Sequence, residues 1–167
     1  MATQENLREA FAGESQASRK YAAFSEKAQE EKYRFVATLF KAASQAEEIH
    51  AKKHLTVLGA VESTTKNLEA AISGETHEYS EMYPGFLATA KDEKQNDAMV
   101  VFRYAKEAEQ VHAELFKKAL DAVKAGHDLP EQKIYLCPVC GYISLGKAPD
   151  KCPVCSIFAK QFKEITL

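Results

Sequence analysis

Gln45-Ala46-Glu47-Glu48-Ile49-His50-Ala51 returns later in the chain as Glu107-Ala108-Glu109-Gln110-Val111-His112-Ala113. Each copy holds a Glu-x-x-His, and residues at i and i+3 share one face of a helix. An upstream motif is doubled as well: Phe11-Ala12-Gly13-Glu14-Ser15 is echoed by Ile72-Ser73-Gly74-Glu75-Thr76. The separations nearly match, 33 residues from Glu14 to Glu47 and 34 from Glu75 to Glu109. Two helical hairpins of similar design are therefore predicted to face each other, each offering a lone Glu and a Glu-x-x-His. These groups lie on the stripe that also carries Phe40 and Ala43, or Phe102 and Ala105, so they point toward a core. An unpaired carboxylate is costly there, whereas a pair of divalent cations would neutralise the cluster and occupy its lone pairs. Two lone Glu and two Glu-x-x-His form the ligand set of four-helix bundles that hold two metal ions. Oxygen and imidazole donors without thiolate suit iron or manganese and admit zinc.

The surrounding composition supports helices. Of 167 residues, 46% are apolar and 28% charged, which rules out a disordered chain and supplies a core for one ordinary domain with a small second one. Net charge is −2 with both signs interspersed, so no basic face is offered to nucleic acid or anionic lipid. No apolar run is long enough for a membrane span. The start, MATQENLREA, is charged and lacks the pattern of a secretory signal, so a cytoplasmic location is expected.

Gly and Pro are scarce before residue 130 and frequent after it, at Pro130, Pro138, Gly141, Gly146, Pro149 and Pro153. A domain boundary is placed there, giving residues 1–130 and 131–167. In the first part, helices are expected over residues 3–29, 33–58, 66–91 and 96–124, with Gly59 as a stop and Ser63 or Thr65 as an N-cap. The two hairpin turns carry neither Gly nor Pro. Pro84 removes the hydrogen bond to the Ser80 carbonyl and is expected to kink the third helix. The repeat also breaks at Glu78, whose counterpart is Ala17. One metal could thus be served by either Glu78 or His50. Glu81, His54 and His77 read as solvated or outer groups, and Tyr21 and Tyr83 as core residues near the ligands.

Cys137-Pro138-Val139-Cys140 and Cys152-Pro153-Val154-Cys155 contain all four cysteines of the chain. Four thiolates at this spacing make a tetrahedral site for zinc or a single iron. About 35 residues cannot build a sufficient apolar core, so the ion must hold this piece together.

These motifs resemble the rubrerythrin family over essentially the whole chain. The matching pieces are Ala12–Ala17, Glu47-x-x-His50-Ala51-Lys52, Gly74-Glu75-x-His77-Glu78-x-x-Glu81-Met82-Tyr83-Pro84, Glu109-x-x-His112 and the two cysteine knuckles. The resemblance implies a mainly α protein: a ferritin-like di-iron four-helix bundle followed by a small rubredoxin-like β domain with one iron held by four cysteines. It implies Glu14, Glu47, His50, Glu75, Glu78, Glu109 and His112 as di-iron ligands, with Glu47 and Glu109 bridging. Cys137, Cys140, Cys152 and Cys155 would hold the third iron. It further implies a cytosolic peroxidase that reduces hydrogen peroxide. On reduction, one iron would exchange Glu78 for His50. Nothing resembles a dinucleotide-binding motif, so electrons must come from outside, from an NAD(P)H-dependent reductase or a rubredoxin. Ser156 departs from the family, which often has Gly there.

In ferritin-like bundles the second and third helices run parallel. Each spans roughly 38 Å here, at the standard rise. The linker between Gly59 and Lys66 reaches only about 25 Å. A domain-swapped homodimer is therefore expected. Iron oxidation or storage without an electron-carrying tail, and an iron sensor with structural zinc in the knuckles, are the competing readings.

Overall fold

The computed structural model describes residues 1–166; Leu167, the end of the expected second domain, lies outside the described residues. The protein is mainly α. Two compact units divide the chain, one over Met1–Glu62 and one from Ser63 onward. Among the described residues, no helix is long and apolar enough to cross a membrane.

The first unit is a hairpin of α1 (Ala2–Glu30) and α2 (Arg34–Val57). Small side chains let the two helices approach closely. Ala28, Ala37 and Ala51 are buried, and Ser18 and Ser44 each donate a hydroxyl hydrogen bond to the other's carbonyl, at 3.0 and 2.8 Å. Gly59, at φ +68°, ends the second helix by donating to the Thr56 carbonyl.

The second unit begins at Ser63, whose hydroxyl caps α3 by accepting from the Lys66 N–H. It contains α3 (Thr64–His77), α4 (Tyr83–Asp92) and α5 (Asn96–Lys124), then three short strands. These are β1 (Ile134–Leu136), β2 (Ile143–Leu145) and β3 (Lys163–Ile165), antiparallel in the order β2-β1-β3. The expected third helix is interrupted. Where the sequence predicts a kink at Pro84, a π-turn over Glu78–Met82 joins α3 to α4, and the Tyr83 N–H donates to the Glu78 carbonyl.

That turn explains the mismatch between the repeats. Tyr21 and Tyr83, Phe24 and Phe86, Phe40 and Phe102, Glu47 and Glu109, and His50 and His112 are each 62 residues apart, whereas Glu14 and Glu75 are 61 apart. The extra residue lies between Glu78 and Tyr83, and a π-turn accommodates one added residue without breaking the helix. It also sets Pro84 at the start of α4, where its missing N–H is least costly. Beyond the insertion the units match closely. Tyr21, Phe24 and Phe40 form a ring trio with centroids 6.1, 6.2 and 5.5 Å apart, and Tyr83, Phe86 and Phe102 form one at 6.0, 6.2 and 5.5 Å.

Both hairpin turns hinge on a lysine in the left-handed region, Lys32 at φ +68° and Lys94 at φ +57°. The next residue closes each turn: Tyr33 N–H donates to Ala28 and Gln95 N–H to Ala90, both at 2.8 Å. A non-glycine residue here carries steric strain, against which glycine's greater unfolded freedom must be set. Lys94→Gly is expected to stabilise the protein by about 0.5–1 kcal/mol net, read as an upward shift of the thermal midpoint.

Candidate metal centres

In the first unit, α1 supplies Glu14 and α2 supplies Glu47 and His50, with one ligand atom of each lying within 4.8 Å of the others. The His50 Nδ1 stands 2.9 Å from Glu47 Oε2 and 3.9 Å from Glu14 Oε1. The hydrogen bond with Glu47, together with partial desolvation, pushes the Glu14 carboxyl above its ordinary value. Glu47 moves the other way, held down by its bonds to Glu14 and His50.

The second unit builds the same triangle from Glu75 on α3 and Glu109 and His112 on α5. His112 Nδ1 is 2.7 Å from Glu109 Oε2 and 3.7 Å from Glu75 Oε2. Burial, then the hydrogen bond and charge of Glu109, raise the Glu75 carboxyl to about 7. Glu109 is lowered, chiefly by its bond to His112, and that same bond raises His112. Each triangle thus crowds two carboxylates until one tends to keep a proton, which is the electrostatic condition a bound cation relieves.

The His112 ring has a second contact: Nε2 donates to the Gly141 carbonyl at 2.9 Å. Gly141 directly follows Cys140. Its neighbours complete a third donor set, in which Cys137, Cys140, Cys152 and Cys155 bring their sulfurs within 4.8 Å of one another. None of the four is in a disulfide. Two matched turns hold them. The Cys137 N–H donates to Tyr142 and the Cys152 N–H to Ile157, at 2.9 and 2.8 Å, while Gly141 and Ser156 donate back to Cys137 and Cys152. Gly141 has φ +82° and Ser156 φ +65°, so the serine keeps the glycine's backbone geometry and its hydrogen bond despite the strained region. Burial pushes the Cys140 and Cys155 thiols up. Four thiols in one cluster, three of them buried, are the donor chemistry of a tetrahedral thiolate site.

Family comparison agrees with this pairing of centres. A profile described as Rubrerythrin matches residues 5–120, and one described as Rubrerythrin, rubredoxin-like domain matches residues 135–163. The chain belongs to the rubrerythrin family. It is 39% identical over 175 residues to Rubrerythrin-2 of Clostridium acetobutylicum, covering 96% of this chain and 95% of the relative. It is also 39% identical to Nigerythrin of Nitratidesulfovibrio vulgaris, covering 92% of this chain and 81% of the relative. A solved structure described as the fully reduced, all-ferrous state of nigerythrin aligns with a TM-score of 0.59 at 36% identity, over 98% of this chain and 86% of that one.

Rubrerythrins bind iron, and the donor sets of this chain suit it: carboxylates with imidazole in two triangles, and four thiols in the tail. Glu78 lies in the π-turn and outside the second triangle; burial raises its carboxyl. Tyr83 is likewise raised by burial and by the nearby charges of Glu109 and Glu78. His77 and Glu81 pair with each other at 3.3 Å on the exposed side, and His54 also lies outside the triangles. The contact between α5 and the first cysteine knuckle is not anticipated from the sequence. There Tyr104 packs on the cysteine cluster, with the Arg103 guanidinium 5.1 Å from its ring centroid. Ala108, 1% exposed, leaves room for Gly141. The available signal was the run of Tyr104, Ala105, Ala108 and His112 along one face of α5.

Proposed function

We propose that the protein is a peroxidase that reduces hydrogen peroxide to water and receives its electrons through the four-cysteine unit. The observation that carries this reading is the position of His112. One ring nitrogen faces the Glu75–Glu109 triangle, and the other donates to the backbone beside Cys140. A storage bundle has no use for a histidine that links its carboxylates to a tetrathiolate unit.

Reducing hydrogen peroxide to two waters takes two electrons and two protons; a bound pair of iron ions would supply the electrons and Lewis-acid chemistry. Glu14, Glu47, Glu75, Glu109 and His112 would hold these ions, with Glu78 or His50 as alternative ligands. Cys137, Cys140, Cys152 and Cys155 would hold the third iron. The ring of His112, oriented by Glu109 and Gly141, fixes the spacing between the two sets. The external donor would be an NAD(P)H-dependent reductase or a rubredoxin, and the unbridged thiols suit a reducing compartment such as the cytoplasm. Functionally the chain divides near residue 130.

Each triangle supplies half of a dimetal ligand set. The link from Val57 to Thr64 reaches only about 25 Å, against roughly 36 Å for the length of α2. We therefore propose that the first unit of one copy completes a bundle with the second unit of another, as a domain-swapped homodimer.

The test is a redox titration of purified, iron-loaded protein. Thiolate-to-iron absorption is expected to bleach with reductant and return when hydrogen peroxide is added. Colour that fails to return within the mixing time would overturn the peroxidase reading.

A further inference from the structure

The four-cysteine unit is joined to α5 by chain and by contact, and only the contact fixes a distance. Residues 125–133 link the end of α5 to the start of β1, a tether that reaches roughly 33 Å when extended. It keeps the unit nearby without setting its spacing from Glu109 and His112. That spacing is set where Tyr104, Ala105, Ala108 and His112 meet the first cysteine knuckle across a crevice of about 170 Å³.

The internal repeat shows which of these four side chains belongs to that seat alone. Sixty-two residues earlier the positions read Ala42, Ala43, Ala46 and His50, in the first unit, which contains no cysteine. Three of the four are unchanged. His50 stands toward Glu47 as His112 stands toward Glu109, at 2.9 and 2.7 Å, so the carboxylate–histidine pair accounts for both histidines without a knuckle. The two alanines recur likewise. Tyr104 is the exception, standing where the first unit has Ala42, on the helix that carries the knuckle. Its ring packs on the core of Cys137, Cys140, Cys152 and Val154, and the Arg103 guanidinium lies 5.1 Å from the ring centroid.

We propose that Tyr104 is a positioning residue: its ring seats the four-cysteine unit on α5 and thereby holds the Gly141 carbonyl at His112 Nε2–H. An aromatic ring gives a large apolar contact at low cost in side-chain freedom, which suits a seat of few residues. Ala108, 1% exposed, and Gly141 let the backbones approach, with 4.0 Å between the alanine Cβ and the start of any side chain on the glycine. Without the ring the crevice widens, and the tether lets the unit swing away from the helix. The 2.9 Å bond from His112 goes first, because a hydrogen bond weakens steeply as its length and angle depart from the ideal. The inference rests on the function proposed above, in that this spacing matters when electrons pass from one donor set to the other.

The experiment compares Tyr104→Ala and Tyr104→Phe with the unaltered full-length protein. In zinc-substituted samples the His112 Nε2–H is followed by NMR, which needs neither iron nor peroxide. Tyr104→Ala is expected to speed its exchange with solvent by roughly tenfold or more, and Tyr104→Phe to leave it within about twofold. In iron-loaded, chemically reduced samples, return of colour with hydrogen peroxide is expected to slow by roughly tenfold or more for Tyr104→Ala alone. The thiolate-to-iron spectrum and the protection of the Cys137 and Cys152 amides should stay as they are, which separates a lost seat from an unfolded unit. Unchanged exchange of His112 Nε2–H in Tyr104→Ala would overturn the proposal, as would equal effects of the two variants or lost protection at those amides. Colour that fails to return in the unaltered protein counts against the peroxidase reading, and the seat is then judged on the His112 exchange.

Discussion

Cys152→Ser is expected to unfold the segment from Ile134 to Ile165 while leaving the helical content of α1 to α5 nearly intact. The fully buried side chains of that segment are Cys137, Cys140, Cys152 and Val154, with Tyr142, Ile157 and Phe162 partly buried against them, so its core is mostly sulfur. Its strands have three residues each, too few to hold a sheet alone. Burying one valine and parts of three other apolar side chains cannot offset the conformational entropy of some thirty residues. Tetrahedral thiolate sites contribute on the order of 10 kcal/mol to folding, and losing one ligand forfeits much of that. Hydrogen exchange provides the measurement. Protection of the Cys137 and Cys152 amides, bonded to Tyr142 and Ile157, should fall by orders of magnitude, with the amides of α1 and α2 unaffected. Retained protection at those amides would mean that packing, not the ion, holds the unit.

The second large effect concerns the carboxylate triangles. Metal-free protein is expected to lose stability as pH rises from about 5 to 8. Glu75 holds its proton up to about 7 when folded, against an ordinary value of 4.5. Between those values the unfolded chain has released a proton that the native chain retains, so raising the pH favours unfolding. His112 acts in the same direction. Its folded value is raised, so its contribution is complete below the ordinary 6.5 and is lost as pH rises through the folded value. Glu109 is lowered and opposes acidification instead, giving stability that disappears as pH falls through its folded value. After allowance for solvent screening, the alkaline loss amounts to about 1–2 kcal/mol, or roughly 3–6 °C in the thermal midpoint. Ferrous or manganous ion replaces the retained proton, so its stabilisation should be larger at pH 8 than at pH 5. Thermal melts of chelator-treated protein across this range, with and without added ion, decide the matter. A flat profile for the metal-free protein would sink it.

Much of this chemistry was legible from spacing. Glu14, Glu47 and His50, and Glu75, Glu109 and His112, were predicted from a doubled motif, and the structure gathers each trio within 4.8 Å. An i, i+3 pair on a helix is a local geometric necessity, and a lone Glu on the adjoining helix needs only an antiparallel hairpin to meet it. The cysteine knuckles are equally local. The π-turn was visible only as separations of 33 and 34 residues, because an inserted residue can be absorbed by a loop, a break or a bulge, and the local pattern does not choose. Lys32 and Lys94 adopt left-handed backbone without a glycine to mark them, since the packing of each hairpin imposes the turn.

By itself, then, the order of residues determined the helices, the two carboxylate–histidine trios and the four-sulfur cluster, because each depends on contacts between near neighbours or on a repeated hairpin. The tertiary structure decided where the cysteine knuckle rests. Gly141 meets His112 across 29 residues, through a backbone carbonyl that any residue type would carry, and only the approach over Ala108 selects it.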